Sequence, residues 1–108
     1  MRSYAPPDAR GGGSQKTLRA SAVIVNRRGL HARAAAKFVH VASRFRSQIR
    51  VSRDGRIMDG KSIMGILLLA AAHGTTIQIA VDGPDEQEAM VALCELVASG
   101  FGEDSWNA

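Results

Sequence analysis

In the middle of the chain, residues 48–59 read QIRVSRDGRIMD. Polar and apolar side chains alternate over residues 48–53, as expected for a half-buried strand, and a short segment, 56–59, follows Asp54-Gly55. This dipeptide favours the two-residue turn in which both central residues have positive φ. The stretch therefore predicts a β-hairpin with strands over 48–53 and 56–59. Because a hairpin joins antiparallel strands, it excludes an all-parallel sheet.

Hydrophobic periodicity on either side of the hairpin predicts the other elements. Alternation indicates two more strands and helical spacing indicates three helices. The two strands are predicted over 18–25 and 75–82. The first two helices are predicted over about 31–45 and 63–71, and the third begins at 83–86 and ends at Gly100. The resulting order, β-α-β-β-α-β-α within residues 18–100, predicts a two-layer α/β (α+β) sandwich with the helices on one side.

Length and composition agree with one small globular domain. The chain has 108 residues, of which 45% are hydrophobic and 22% are charged. Residues 18–100 are predicted to form the domain, with a flexible N-terminal tail over 1–17 and a C-terminal tail over 101–108. The single cysteine, Cys94, excludes an intrachain disulfide and a thiolate zinc cage.

The N-terminal segment has no apolar core of the kind found in secretory signals. The longest apolar run, Ile66–Ala72, is too short to span a bilayer. We therefore expect a cytoplasmic protein that does not insert into membranes.

Charge is segregated along the chain, although the total is only +4. Residues 18–61 hold eleven basic side chains against two acidic ones, a net charge of +9, whereas residues 62–108 hold seven acids and no Lys or Arg. A basic half attracts acidic or phosphate-bearing partners. A nucleic-acid-binding α/β module is therefore the alternative function. It is weakened by an aromatic content of 5%, since the predicted strands offer no stacking platform for bases.

Residues 55–62, GRIMDGKS, match the letters of the nucleotide-binding P-loop. A P-loop must follow a buried parallel strand, and its backbone amides must wrap the phosphates. Here the preceding strand is half polar and Gly55 belongs to a hairpin turn. We therefore expect a return strand at 56–59 and no nucleotide site.

Residues 27–33, RRGLHAR, hold the residues best suited to chemistry. His31 lies where a loop passes into a helix, and a helix start offers unpaired N–H groups and a positive dipole end to phosphate. Neutral imidazole is a nucleophile at physiological pH. Arg33 can reach back over the loop, and Gly29 allows close approach of the backbone. Spacing alone also fits a helix-capping His beside solvated arginines.

Two motifs in register carry a family resemblance. Gly29-Leu30-His31-Ala32-Arg33 followed by Ala36-Lys37-Phe38-Val39 resembles the active-site segment of HPr, the histidine phosphocarrier of the bacterial phosphotransferase system. Lys61-Ser62-Ile63-Met64-Gly65-Ile66 resembles the regulatory-serine segment of that family. The resemblance covers residues 18–100. It implies an open-faced sandwich in which three helices cover one face of a four-stranded antiparallel sheet.

The resemblance also implies a function. His31 would accept a phosphoryl group on Nδ1 from phosphorylated enzyme I, itself charged by phosphoenolpyruvate, and pass it to an enzyme IIA protein. Arg33 would contact the phosphate. Such a chain is a phosphohistidine carrier and not a stand-alone catalyst. It needs no cofactor or metal ion, and we expect a monomer.

Further residues acquire roles by the same resemblance. The backbone around the phosphate would include Gly29, Ala32 and Ala34. Ser62 matches the site of an ATP-dependent kinase/phosphorylase, and phosphate there would place about −1.5 to −2 charge near the His31 loop and hinder enzyme I. The residues expected to dock partners are Leu30, Ile63, Met64 and Leu67.

One departure from the family pattern is Ala34, where HPr proteins usually have Pro. Ala34 gives up the helical φ that Pro presets but restores an N–H group, so we expect altered transfer energetics rather than loss of function. This feature, with Ala35-Ala36-Lys37-Phe38, is similar to the nitrogen-regulatory, alphaproteobacterial-type branch. His40 and His73 have no companions at ligand spacing.

Overall fold

The computed structural model describes residues 17–103, so most of both predicted tails lies outside the described residues. The chain forms β1 (Leu18–Val23), α1 (Ala32–Ala42), β2 (Gln48–Arg53), β3 (Arg56–Asp59), α2 (Ile63–Leu68), β4 (Thr76–Asp82) and α3 (Glu86–Ala98). A single 3₁₀ turn, Gly100–Gly102, follows α3. The predicted element order is confirmed.

The hairpin predicted at residues 54 and 55 is also confirmed. Asp54 and Gly55 have φ values of 51° and 85°, and Arg53 pairs with Arg56 across the turn. Because Arg56–Asp59 is a strand antiparallel to β2, the segment 55–62 that matches the P-loop pattern does not form a loop that could wrap phosphates.

The four strands form one antiparallel sheet in the order β1-β4-β2-β3. Side chains alternate between its faces, so every second residue of the two central strands is buried. The buried members are Ile49, Val51, Ile77, Ile79 and Val81. The three helices cover this face, and each supplies a fully buried side chain, namely Phe38, Ile66 and Leu93. The open-faced two-layer sandwich is therefore confirmed.

Three element ends differ from the predicted ones because the chain turns earlier than hydrophobicity suggests. β1 ends at Val23 instead of residue 25, and α1 ends at Ala42 instead of residue 45. α2 ends at Leu68 instead of residue 71, since Leu69 is its C-cap and Ala70 has φ of 50°. Apolar residues beyond these ends still pack on the core from loops, which periodicity cannot distinguish from a longer helix.

The packed structure also continues beyond the predicted domain boundary at residue 100. Phe101 is 1% exposed and belongs to the core. Residues 101–103, predicted to belong to the C-terminal tail, are therefore part of the packed structure, because the aromatic side chain gains more from burial than the turn costs. No helix within residues 17–103 has the length and apolar character needed to cross a bilayer.

Candidate functional site at the start of the first helix

His31 is the N-cap of α1. Its backbone is extended, with φ of −77° and ψ of −179°, and its Nδ1 accepts a hydrogen bond of 3.3 Å from the Arg33 backbone N–H. The His31 carbonyl accepts the first helical bond, from the N–H of Ala35 at 2.8 Å. The imidazole therefore lies at the positive end of the helix dipole, beside N–H groups that the helix itself does not use.

The loop before His31 is fixed by backbone hydrogen bonds. Gly29 N–H bonds the Asn26 carbonyl at 3.1 Å, and Leu30 N–H bonds the Ala71 carbonyl at 2.9 Å. Gly29 has φ of +70°, and a Cβ atom there would lie 2.8 Å from the Ala71 oxygen. Only glycine satisfies both the conformation and the close approach, so its predicted role in this loop has a steric basis.

The second ring nitrogen of His31 is held by Glu103. His31 Nε2 hydrogen-bonds Oε2 of Glu103, and Asn26 Nδ2 donates to Oε1 of the same carboxylate at 3.0 Å. Asn26 also donates to the Gly29 carbonyl at 2.8 Å. A carboxylate only accepts hydrogen bonds, so Nε2 carries the proton. Nδ1 then retains a lone pair, which agrees with the bond it accepts from Arg33.

The charges around the ring favour an anion. Burial raises the pKa of the Glu103 carboxyl, but hydrogen bonds from His31 and Asn26, together with the electrostatic influence of the His31 ring and of Arg28, outweigh burial and lower this pKa below its ordinary value. Glu103 is therefore ionised at neutral pH and faces Nε2. The side chain of Arg33 is exposed two residues into the helix start. A phosphoryl group on Nδ1 would meet backbone donors and this guanidinium.

The structure brings the predicted phosphate-loop residues together and leaves Ala34 its backbone as the group that can act. Gly29, His31, Ala32 and Arg33 are consecutive or nearly so around the start of α1. Ala34 is fully buried in the core. Only its backbone N–H, in the first helical turn, is oriented as a donor toward the helix start.

Ser62 is the N-cap of α2, since its Oγ accepts a hydrogen bond of 3.0 Å from Gly65 N–H. Its expected position near the His31 loop is wrong. Lys61 Nζ bonds the carbonyl of Phe45, just beyond the C-terminal end of α1, whereas His31 begins that helix. An 11-residue helix is about 16 Å long. The residue before His31, Leu30, bonds the carbonyl of Ala71 just beyond the C-terminal end of α2. The start of each helix therefore lies near the end of the other, and Ser62 and His31 lie toward opposite ends of the pair.

Helix α2 exposes an apolar surface, which we call the α2 patch and define as Ile63, Met64 and Leu68. Their exposed fractions are 44%, 66% and 51%. Leu68 is absent from the predicted docking residues, and Leu67 is only partly exposed because it packs against the core. The predicted docking role of Leu30 is wrong, since its side chain is 6% exposed and belongs to the core.

Sequence reasoning missed Glu103 and Asn26, which hold the imidazole. Asn26 directly follows the strand predicted over 18–25, and Glu103 falls in the predicted tail over 101–108. The signal that could have placed residues 101–103 in the packed domain is Gly100-Phe101-Gly102, because a large aromatic between two glycines indicates a tight turn with a buried anchor. The partner of Glu103 could not be read from this signal.

The other histidine and cysteine side chains of the described residues form no metal site. Among residues 17–103, no three His, Cys, Asp or Glu side chains lie close enough to share a metal ion. His40 is exposed in the last turn of α1. Burial raises the pKa of the Cys94 thiol, which disfavours the reactive thiolate.

Comparisons with known proteins agree with this geometry. The family PTS-HPr, described as the PTS HPr component phosphorylation site, matches residues 18–99. The phosphocarrier protein HPr of Cupriavidus necator is 54% identical over 86 residues, which cover 80% of this chain and 97% of the relative. The crystal structure of HPr-C-His from Thermoanaerobacter tengcongensis matches with a TM-score of 0.78 and 45% identity, covering 81% of this chain and 98% of that one. A Bacillus anthracis HPr structure matches with a TM-score of 0.73 and 40% identity, covering 75% and 96%.

Proposed function

This chain belongs to the HPr family of phosphocarriers of the phosphotransferase system, and we propose that His31 is the residue that carries its phosphoryl group. A phosphocarrier acts with partner enzymes and is not a stand-alone catalyst. The observation that carries the proposal is the Nδ1 lone pair of His31 at the N-terminus of α1. A nucleophile there attacks phosphorus where helix N–H groups stabilise the phosphoryl oxygens.

In the proposed transfer, Nδ1 attacks the phosphorus of phosphorylated enzyme I and the bond between phosphorus and enzyme I breaks. The Nδ1 lone pair then forms the new bond and no longer accepts from the Arg33 N–H. That N–H becomes available to a phosphoryl oxygen. The Arg33 guanidinium adds a positive charge, so both groups of one residue would stabilise the transferred phosphoryl group.

Membership of this family implies phosphotransferase-system partners in general. We propose that these are enzyme I as donor and an enzyme IIA protein as acceptor. The exposed Arg27, Arg28 and Arg33 surround the His31 end and would attract acidic partner surfaces. The α2 patch would supply the apolar contact, since an exposed apolar surface rimmed by polar residues is typical of interaction sites.

We further propose that phosphorylation of Ser62 by a kinase/phosphorylase regulates docking. A phosphate at the N-terminus of α2 is compatible with the helix dipole, so it would not unfold the helix. It would lie beside Ile63 and Met64 of the α2 patch. The negative charge would therefore act on the docking surface and not on the distant imidazole.

Cytoplasmic location, a monomeric state and the nitrogen-regulatory branch remain predictions. The comparisons offer no support for nucleic-acid binding. The open face of the sheet carries exposed Arg19 and Arg50, but the four strands contain no aromatic residue on which bases could stack.

The decisive experiment is phosphorylation of the purified chain with enzyme I and labelled phosphoenolpyruvate. We expect acid-labile, base-stable label in the wild type and none in His31→Ala. His40→Ala is the matched control, because His40 is an exposed histidine on the same helix. Label that persists in His31→Ala contradicts the proposal.

The role of Arg33 is tested by the transfer rate in the same assay. Arg33→Ala should slow phosphorylation about 10²-fold, the loss typical of one donor to a reacting oxyanion. Arg44→Ala removes an exposed arginine from the opposite end of α1 and should leave the rate within about twofold of wild type. Equal rates for the two variants would exclude the proposed phosphate contact.

A further inference from the structure

The turn that follows α3 is fastened to the start of the molecule's first helix. Phe101 is buried although its φ is +59°, a conformation that costs about 1 kcal/mol for a non-glycine residue. Lys37 of α1 donates a hydrogen bond of 2.8 Å to the Phe101 carbonyl. Glu103 N–H bonds the Gly100 carbonyl at 3.0 Å. These contacts fix the backbone that presents Glu103 to the loop before α1.

Both carboxylate oxygens of Glu103 are used, one by the imidazole of His31 and one by the amide of Asn26. The Glu103 side chain is only 12% exposed. Asn26 is itself 4% exposed and is tied to the Gly29 carbonyl of the His31 loop. The carboxylate is therefore held from one side by a fixed amide and directed at one ring nitrogen.

We propose that Glu103 is a positioning residue for phosphoryl transfer, which holds His31 in the tautomer that has its proton on Nε2 and its lone pair on Nδ1. The inference rests on the proposed role of His31 as phosphoryl acceptor. In free histidine the proton exchanges between the two nitrogens, so only part of the population offers Nδ1 as a nucleophile. A carboxylate acceptor at Nε2 selects one form, and this is a common way in which a second residue orients a reactive imidazole.

The proposed step balances without any further proton donor or acceptor. The Nδ1 lone pair forms the bond to phosphorus, and the electron pair of the donor's bond to phosphorus leaves with enzyme I. The Nε2 proton stays on the ring. The phosphorylated imidazole then carries a positive charge, which faces the Glu103 carboxylate at Nε2. On donation to the acceptor, the electron pair returns to Nδ1 and the original tautomer is restored.

The tautomer is measured on unphosphorylated, full-length protein by long-range ¹H–¹⁵N correlation spectra of labelled imidazoles, with no enzyme I present. We expect the Nε2–H form of His31 to predominate in the wild type. In Glu103→Gln, the side-chain amide can accept from Asn26 while donating to Nε2, so the Nδ1–H form should rise several-fold. Glu95→Gln, on an exposed glutamate of α3, is the control for loss of one negative charge.

The phosphorylation rate with enzyme I then separates a positioning role from a structural one. We expect the phosphorylation rate of Glu103→Gln to be about tenfold lower than that of the wild type. Glu103→Asp should recover part of this rate because it restores the carboxylate. Thermal unfolding of each variant shows whether a loss of stability accompanies the loss of rate. An unchanged tautomer in Glu103→Gln overturns the proposal, and so does an altered tautomer with an unchanged rate. Label that persists in His31→Ala would instead refute the proposed function, while leaving the tautomer measurement intact.

Discussion

Two helices of this protein begin at proposed phosphorylation sites, yet the two starts are built differently. Ser62 caps α2 through Gly65, three residues ahead, and Lys61 N–H bonds the Asp59 carboxylate two residues back. His31 caps α1 through Arg33, but its other nitrogen is held by Glu103, 72 residues away in the chain. One site is assembled from local residues and the other requires the whole fold.

This difference suits the two proposed chemistries. A hydroxyl that a kinase phosphorylates needs only to be accessible, because the kinase supplies the catalytic groups. A carrier imidazole must present one defined nitrogen to two different partners, so its tautomer and orientation have to be set by the carrier itself. The long-range contact is therefore found where the chemistry needs it.

The largest effect is expected from a methyl group added in the loop before α1, and the same change near the start of α2 is its comparison. Gly29→Ala forces a side chain into positive φ and places Cβ 2.8 Å from the Ala71 carbonyl oxygen. The free energy of unfolding should fall by about 2–4 kcal/mol. At the α2 start, a Cβ on Gly65 would lie 3.2 Å from Met58 Cβ and 3.3 Å from Ser62 Oγ. The gain in helix propensity offsets this crowding, so Gly65→Ala should change stability by less than about 1 kcal/mol.

Urea unfolding of both alanine variants measures this contrast. The phosphorylation rate should also fall in Gly29→Ala, since the loop that carries His31 must shift. Equal destabilisation of the two variants would remove the claimed difference between the helix starts.

An intermediate effect, on stability and on enzyme I binding, is expected when the N-cap at Ser62 is removed or given a negative charge. Ser62→Ala should cost about 1 kcal/mol, because Gly65 N–H loses its acceptor. Ser62→Asp and Ser62→Asn both keep a side-chain cap, and only Asp adds a negative charge. We expect Asp alone to weaken enzyme I binding about tenfold at low salt, measured by calorimetry, and raised salt to reduce the difference. Similar binding by Asp and Asn would show that charge at Ser62 does not control docking.

The smallest effect is a difference in pH dependence between the two sites. The pKa of Glu103 in the folded protein lies below its ordinary value of 4.5. Its ionised carboxylate therefore stabilises the fold above that value, and the contribution is lost as the pH falls through the lowered pKa. The stability difference between wild type and Glu103→Gln should therefore shrink as the pH falls below about 4.5.

The hydroxyl of Ser62 does not titrate in this range, so the difference between wild type and Ser62→Ala should stay constant. Chemical denaturation at a series of pH values tests both expectations. A difference at Glu103→Gln that grows on acidification would contradict the assigned ionisation of this carboxyl.

Much of the fold could be predicted from the sequence because its signals are local. Asp54-Gly55 predicts the hairpin, alternation predicts the strands, and Ser62 predicts the start of α2. The ends of α1 and α2 could not be predicted as well. Phe45 and Leu69 continue the apolar pattern past the helices, and only packing shows that they reach the core from loops.

The sequence by itself determined the sheet, the helix that begins at His31 and the family motifs around it. These depend on residues within a few positions of one another, where backbone geometry leaves few alternatives. The tertiary structure alone decided that Glu103 and Asn26 hold the imidazole, that Leu30 is buried, and that Ser62 lies away from His31. Those outcomes depend on contacts between residues far apart in the chain, and such contacts are fixed only when the helices pack on the sheet.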